Sequence, residues 1–220
     1  MNNYKNFINN LEKTAQLANR NIEEVDLIAV SKKKPSSDIQ NVIDEGHISF
    51  GENQIQEIER KWPDLKNLNA NIQLHFIGNI QSRKIKSIHE NCEVIHSVDR
   101  MKVVKLFNEI ENLNNVRRKY FIQINTGNEP QKSGVMLAEA DAFISECVES
   151  YNLNIVGLMC IPPNVDDPSS YFERMKIIRD KINKKLNLSM GMSSDYKIAL
   201  NYDSDIIRIG SLIFSWNIIF

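Results

Sequence analysis

The chain has 220 residues, of which 42% are hydrophobic, and its 27 Lys and Arg nearly balance its 28 Asp and Glu. This length and composition are typical of one globular domain with a sizeable core, and the balanced charge gives no support to nucleic acid as a partner. No apolar run approaches the roughly 18 residues of a membrane span, and the first residues lack the apolar region of a secretory signal.

Cysteine and histidine usage gives no indication of a disulfide framework or a metal site. The histidines His47, His89 and His96 are isolated in the sequence, so we expect no metal ligands among them. His75, at the end of an apolar run, either lines a pocket or is a core residue. An odd number of dispersed cysteines favours a reducing cytoplasm as the location. These cysteines are Cys92, Cys147 and Cys160.

An amphipathic helix is predicted first, over Asn2–Asn19, because its apolar residues recur at spacings of three and four. Short apolar runs then alternate with helical segments. The predicted strands are Leu27–Ser31, Ile48–Phe50, Gln73–Ile77, Glu93–His96, Lys119–Asn125, Ile155–Ile161, Leu188–Met190 and Ile206–Ile209. The predicted helices begin at Pro35, follow Asn53, and span Gln81–Ile88, Asp99–Leu113, Ser133–Tyr151, Pro168–Leu186 and Ser193–Asn201.

Alternating strands and helices of this length are typical of an α/β protein with a parallel sheet. Eight such units predict a (β/α)8 TIM barrel, with an extra N-terminal helix before it and a shortened C-terminal helix after the eighth strand. An open doubly wound sheet uses the same elements, so closure of the sheet into a barrel is predicted from the number of β/α units alone. No linker interrupts the pattern, and we expect residues 1–220 to form a single domain. The apolar end of the chain, from Trp216 to Phe220, either packs across the bottom of the barrel or is exposed.

Three consecutive lysines, Lys32, Lys33 and Lys34, follow the first predicted strand. A charge run of this kind is commonly a solvated surface. In a TIM barrel, however, the functional residues lie where the strands end. Under that interpretation Lys32 points into the mouth of the barrel, where a desolvated amine acts as a nucleophile towards an aldehyde.

Glycine and hydroxyl residues follow the last two predicted strands, in Gly191–Ser194 and Gly210–Ser211. Free N–H groups at a helix N-terminus favour a phosphate, although serine at this position is also a common helix cap. The first and eighth strands are neighbours in a closed barrel. The lysine and the two loops together therefore predict a ligand that carries both an aldehyde and a phosphate.

Five short motifs in register identify a family that the chain resembles. They are Ala29-Val30-Ser31-Lys32, Phe50-Gly51-Glu52-Asn53, His75-Phe76-Ile77-Gly78, Leu188-Ser189-Met190-Gly191-Met192-Ser193 and Arg208-Ile209-Gly210. With these motifs the chain, from Leu27 to Phe214, resembles the pyridoxal phosphate homeostasis protein family. Its members are single-domain relatives of the N-terminal barrel of alanine racemase.

The resemblance implies a barrel, similar to that of alanine racemase, that binds pyridoxal 5′-phosphate (PLP) as a Schiff base. By resemblance, Lys32 carries the Schiff base, Asn53 lines the ring pocket and Arg208 faces the pyridine nitrogen. A guanidinium donates a hydrogen bond to a neutral ring nitrogen, which makes the ring a poor electron sink and disfavours carbanion chemistry. The implied phosphate-binding residues are Ser193, Gly210 and Ser211, with Met190 in the same loop.

Three functions fit these residues. The first is a PLP-binding protein for cofactor homeostasis, without catalysis of its own; the second is a PLP-dependent amino-acid racemase or decarboxylase. The third is aldolase-type chemistry on Lys32 without a cofactor. Racemisation needs an acid and a base on opposite faces of the substrate, and one barrel leaves no additional domain to supply the second. We therefore favour the binding protein, a monomer whose partners are the cofactor and PLP-dependent apo-enzymes.

Overall fold

A closed ring of eight parallel strands forms the centre of the computed structural model, which describes residues 3–214. Its strands, with one short additional strand, are β1 (Asp26–Val30), β2 (Ser49–Glu52), β3 (Gln73–Phe76), β4 (Val94–Val98), β5 (Lys119–Asn125), β6 (Val135–Met136), β7 (Ile155–Cys160), β8 (Asn187–Met192) and β9 (Ile206–Ile209). The ring runs β1-β2-β3-β4-β5-β7-β8-β9 and closes between β9 and β1. The prediction of a closed barrel is therefore confirmed, and the open sheet is not formed.

Helices surround the ring and connect successive strands. Their bounds are α1 (Asn3–Leu17), α2 (Ser36–Asp44), α3 (Ile55–Leu68), α4 (Ile85–Asn91), α5 (Met101–Asn114), α6 (Ala140–Glu149), α7 (Ser169–Ile182), α8 (Tyr196–Leu200) and α9 (Ser211–Phe214). The extra N-terminal helix is α1, and the stub predicted after the last strand is α9. The apolar end from Trp216 to Phe220 lies outside the described residues.

The segment predicted as one long helix over Ser133–Tyr151 divides into two elements. Val135 pairs in parallel with Ile124 of β5, which makes β6 a two-residue strand outside the ring. Gly134 precedes it with a φ of +121°, a conformation that a helix does not contain. The helix α6 consequently begins only at Ala140.

The seventh predicted strand is longer than expected, and the helix after it is shorter. β8 continues two residues beyond Met190, to Met192. The segment expected to be helical from Ser193 becomes so only at Tyr196, because Gly191 has a φ of +94° and the Asp195 carboxylate accepts a hydrogen bond from the Met192 N–H at 2.6 Å. A tight turn therefore separates β8 from α8.

Side chains alternate between the lumen of the ring and the layer under the helices, as the pleat of a strand requires. In β1, Ile28 belongs to the lumen cluster and Ala29 to the outer core. The outer core includes Phe50, whose ring centroid lies 5.1 Å from that of Trp62 in α3. The buried lumen cluster consists of Ile28, Val30, Val94, Phe121, Met159 and Ile206. This alternation determines which residues at the strand ends face the mouth.

Candidate functional site

The ends of β1, β2, β8 and β9 place most of the predicted site residues on one rim of the barrel. In the strand pairing, Ala29 of β1 lies opposite Phe50 of β2 on one side and Ile209 of β9 on the other. The segment that leads from β1 to Lys32 therefore runs between the segment from β2 to Asn53 and the segment from β9 to Gly210. The neighbouring positions predicted for the lysine and the last loop are confirmed by this pairing.

Ser31 points outwards, because its Oγ donates to Glu52 Oε1 at 2.7 Å beneath helix α3. Lys32 lies in the turn that follows, and continuing the alternation of β1 assigns it to the lumen side together with Val30. Its side chain is exposed and makes no hydrogen bond or ion pair with residues 3–214. The expected desolvation of this amine is wrong for the described chain, since Lys32 follows the last buried residue of the first strand and nothing packs over the mouth there.

The other two lysines of the run are anchored and hold the turn in place. The Lys33 N–H donates to Glu57 Oε2 at 2.8 Å, and Lys33 has a φ of +61°. The Lys34 ammonium donates to the Phe214 carbonyl at 2.9 Å, which ties this turn to α9. Lys33 is therefore held through its backbone and Lys34 through its amine, whereas the side-chain amines of Lys32 and Lys33 are both exposed.

A buried ion pair supports the same turn from below. Lys61 of α3 lies 2.6 Å from Glu52 Oε1 and also donates to the Ser31 carbonyl at 3.1 Å. Trp62 Nε1 donates to the same carboxylate oxygen at 3.2 Å. Burial raises the pKa of Glu52, while the hydrogen bonds from Lys61 and Ser31 oppose the shift. Because every donor in this network is bonded, the residue before Lys32 is held rigidly.

The loops after β8 and β9 meet at the rim and form the candidate phosphate site. The Gly210 N–H donates to Ser193 Oγ at 3.4 Å, so the two loops touch. A Cβ at Gly210 would lie 3.2 Å from the Val30 carbonyl, which shows how closely this loop approaches the end of β1. Helices α8 and α9 contain only five and four residues, so their dipoles are small. The available donors are instead the hydroxyls of Ser193 and Ser211 and the backbone N–H groups.

Arg208 is buried inside the lumen, next to this site. Its Nη1 donates to the carbonyl and to Oγ of Ser189 at 2.7 and 2.8 Å, and its Nη2 donates to the Cys160 carbonyl at 2.8 Å. These bonds use three of the five N–H groups of a guanidinium and leave two for a bound acceptor. Burial lowers the pKa of Arg208, although a guanidinium remains charged at any physiological pH.

Asn53 and Met190 differ in where the structure places them. Asn53 follows β2, whose inward positions are Ser49 and Gly51, and it is half-buried on the lumen side. Gly78 packs on its backbone so closely that a Cβ there would lie 2.0 Å from the Asn53 carbonyl. Met190, in contrast, is fully buried in the outer core. Its side chain points away from the lumen, because it alternates with the inward Ser189.

His96, which looked isolated in the sequence, forms a buried pair with His75. His75 Nδ1 lies 2.9 Å from His96 Nε2, and His96 Nδ1 lies 3.1 Å from Ser189 Oγ. The His96 ring stacks on Phe121 with centroids 4.3 Å apart. Burial lowers the pKa of His75 to about 3 and that of His96 well below its usual range. His96 and Ser189 were not among the site residues predicted from the sequence, although both lie at inward positions of predicted strands.

Among residues 3–214, no group of three or more His, Cys, Asp or Glu side chains is arranged to hold a metal ion. Within the same range, no helix is sufficiently long and apolar to cross a membrane. The three cysteines are free and buried, and burial raises the pKa of the Cys147 and Cys160 thiols to about 12. These thiols are therefore unreactive.

The chain matches the family described as "Alanine racemase, N-terminal domain" over residues 3–217. It is 34% identical over 203 residues to the pyridoxal phosphate homeostasis protein of Escherichia coli K12, covering 89% of this chain and 87% of the relative. The protein of the same name from Aquifex aeolicus is 32% identical over 212 residues, with coverage of 93% and 92%.

Solved structures show the same barrel. PipY of Synechococcus elongatus PCC7942, solved with PLP bound, is 28% identical and has a TM-score of 0.81, covering 93% of this chain and 99% of PipY. Alanine racemase of Clostridium difficile 630 has a TM-score of 0.74 at 11% identity, with 92% of this chain matching 55% of the racemase. The second likeness shows a shared fold alone.

The buried histidines predict a loss of stability in mild acid. Burial lowers the pKa of His47 to about 4 and that of His75 to about 3, from an ordinary value of 6.5. Below pH 6.5 the unfolded chain therefore binds more protons than the folded one, so the free energy of unfolding falls as the pH falls. Each histidine contributes about 1.4 kcal/mol per pH unit. Urea denaturation between pH 6.5 and about pH 5, above the range of most carboxylates, measures this slope.

In this titration, His75→Gln serves as the control. It removes one titrating group and should reduce the slope by the share of one histidine. A free energy of unfolding that stays constant over this range, or a slope that is identical in the variant, contradicts the assignment of neutral buried histidines.

Proposed function

The chain belongs to the alanine racemase N-terminal domain family and, within it, to the pyridoxal phosphate homeostasis proteins, and from this membership we propose that it binds PLP covalently through Lys32. The observation that carries the proposal is the position of Lys32. The exposed amine of Lys32 follows β1, which pairs with β9, and the loop after β9 contacts the loop after β8. PLP carries an aldehyde and a phosphate on one ring, which matches these two features.

The residues at the mouth fit each part of PLP. Ser193, Ser211 and the Gly210 N–H are donors for the phosphate, as charge-assisted hydrogen bonds require. Asn53 offers an amide at the half-buried edge of the lumen, where the ring would lie. Arg208 retains two unbonded N–H groups for the ring nitrogen. When bound, PLP supplies an aldehyde that condenses with amines and a ring that withdraws electrons.

Lys32 supplies the nucleophile for the covalent bond. Its neutral amine adds to the aldehyde carbon, a C=N bond forms, and the aldehyde oxygen leaves as water with the two amine protons. The Schiff base is reversed by the same water. Because Lys32 is exposed at the mouth, water reaches this bond readily. The site is therefore suited to reversible loading and release of the cofactor.

Arg208 favours cofactor binding without catalysis. A guanidinium donates its hydrogen bonds but does not protonate a pyridine nitrogen, so the ring remains neutral and stabilises a carbanion poorly. An open mouth also admits water, which weakens the electrostatic stabilisation that catalysis requires. We therefore infer a role in PLP homeostasis rather than in catalysis. In this role the protein is a cytoplasmic monomer that supplies PLP-dependent apo-enzymes.

The alternative function is that of a PLP-dependent amino-acid racemase or decarboxylase. Alanine racemase shares the fold of this chain, but at 11% identity this likeness shows the fold alone. Incubation of the loaded protein with single amino acids, followed by chiral chromatography, separates the two functions. Turnover that disappears in Lys32→Ala would establish the enzyme and overturn the homeostasis role.

Substitution of Lys32 by alanine should abolish the covalent bond to the cofactor. We expect the visible absorbance of the bound cofactor to be lost in Lys32→Ala, because the variant lacks the amine that is proposed to form the C=N bond. The control is Lys33→Ala, which removes the adjacent exposed side chain but leaves the Lys33 N–H bonded to Glu57. Absorbance spectra after addition of PLP measure both. An unchanged spectrum in Lys32→Ala contradicts the assignment.

Substitution of the hydroxyls in the proposed phosphate site should lower the affinity for PLP and leave the absorbance of bound PLP unchanged. The double variant Ser193→Ala with Ser211→Ala should weaken PLP affinity roughly tenfold or more, since each hydroxyl donates to a charged group. At saturating PLP its absorbance should equal that of the wild type, because Lys32 is intact. Ser194→Ala, at an exposed neighbouring position, is the control for affinity. A dissociation constant that equals the wild-type value in the double variant would remove both hydroxyls from the phosphate site.

A further inference from the structure

A continuous chain of polar side chains crosses the lumen from the start of β2 to Arg208. Ser49 Oγ lies 2.9 Å from His75 Nε2, and His75 Nδ1 lies 2.9 Å from His96 Nε2. His96 Nδ1 lies 3.1 Å from Ser189 Oγ, which accepts from Arg208 Nη1 at 2.8 Å. This hydrogen-bond chain thus links five side chains from five strands, and it connects the amino-terminal side of the ring with the mouth.

The chemistry of the guanidinium fixes the direction of every hydrogen bond in this chain. Arg208 has no acceptor, so it must donate to Ser189 Oγ. The Ser189 hydroxyl has no other acceptor within residues 3–214, and its proton is therefore donated to His96 Nδ1. His96 then carries its proton on Nε2 and donates to His75 Nδ1. His75 in turn donates from Nε2 to Ser49.

Both imidazoles are neutral in this arrangement, and their surroundings enforce it. His96 and Ser189 are fully buried, and the His96 ring is fixed by stacking on Phe121. Burial, together with the charge of Arg208, keeps the pKa of His96 well below its usual range. A protonated His96 would have a donor at Nδ1 and could no longer accept from Ser189. The hydrogen-bond directions described above therefore require a neutral His96.

We propose that Ser189 and His96 are positioning residues for Arg208, which fix its guanidinium so that two N–H groups remain directed at a bound ring. The proposal rests on the proposed function, since Arg208 contacts the cofactor and the other two act through it. A long arginine side chain has several rotamers, and anchoring Nη1 through both oxygens of Ser189 removes most of this freedom. His96 holds the Ser189 hydroxyl so that its lone pair faces Arg208.

The proton positions can be measured without the cofactor. Proton–nitrogen correlation spectra of the histidine side chains in the unloaded protein should show His75 and His96 neutral, each with its proton on Nε2. In Ser189→Ala, His96 loses the donor at Nδ1, so its spectrum should change to a mixture of tautomers. A wild-type protein with the proton of His96 on Nδ1, or with a charged His96 near neutral pH, overturns the proposal.

The effect on the cofactor is measured in the same variants. Ser189→Ala should weaken PLP affinity about tenfold, the loss expected for one hydrogen bond with a charged donor, and shift the absorbance of bound PLP. Ser189→Thr retains the hydroxyl and should restore both. The control is Ser204→Ala, because Ser204 is equally buried but donates to the Met190 carbonyl at 2.6 Å and does not contact Arg208.

The outcomes separate the positioning role from the proposed function. If the wild type does not bind PLP, the proposed function fails, and the histidine spectra still decide whether the hydrogen-bond chain exists. If the wild type binds and Ser189→Ala has wild-type affinity and absorbance, the positioning role is wrong. Equal losses in Ser189→Ala and Ser204→Ala show a general packing effect and also overturn it. Should Ser189→Ala not fold, Ser189→Thr and the wild-type spectra provide the test.

Discussion

The pairing of β1 with β9 closes the ring, and the geometry of the mouth depends on it. These strands are the first and the last of the chain, with Ile28 opposite Arg208 and Ala29 opposite Ile209. Because the strands are parallel, their carboxyl ends lie on the same rim. The amine that follows β1 and the loop that follows β9 are therefore neighbours, although they are distant in sequence. Without closure, the lysine and the phosphate site would belong to opposite edges of a sheet.

Two buried polar networks with different tasks support this rim. The Glu52–Lys61 pair lies outside the ring and fixes the turn that carries Lys32. The hydrogen-bond chain of side chains from His75 to Arg208 lies inside the ring and holds the Arg208 guanidinium. Burial of such groups is costly unless their hydrogen bonds are satisfied. Most donors in both networks have acceptors, whereas Glu52 Oε2 and two N–H groups of Arg208 have no partner among the described residues. The mouth therefore combines buried polar supports with the exposed amine of Lys32.

Much of the fold follows from local sequence patterns. Apolar runs of three to seven residues predict the strands, and Ile206–Ile209 and Lys119–Asn125 have the predicted bounds. The helix predicted from Ser133 began too early, because Gly134 and the paired segment Val135–Met136 precede α6. The site is harder to predict because it depends on which face of a strand is the lumen. For Met190, the alternation with Ser189 contained that information, but it could be used only after the inward face was known.

Contacts between residues that are distant in the sequence cannot be predicted from local sequence patterns. His96 and Ser189 are separated by 93 residues, and neither lies in a pattern typical of a hydrogen-bonded pair. The exposure of Lys32 likewise depends on what packs over the mouth, which the residues beside it do not determine.

Borohydride reduction of the PLP-loaded protein tests the proposed covalent bond between Lys32 and the cofactor. Reduction converts the C=N bond into a stable amine, so that a peptide digest analysed by mass spectrometry identifies the modified residue. We predict that the peptide containing Lys32 carries the reduced cofactor with a stoichiometry near one. Modification at another lysine, or unmodified protein after reduction of a fully loaded sample, would contradict the account.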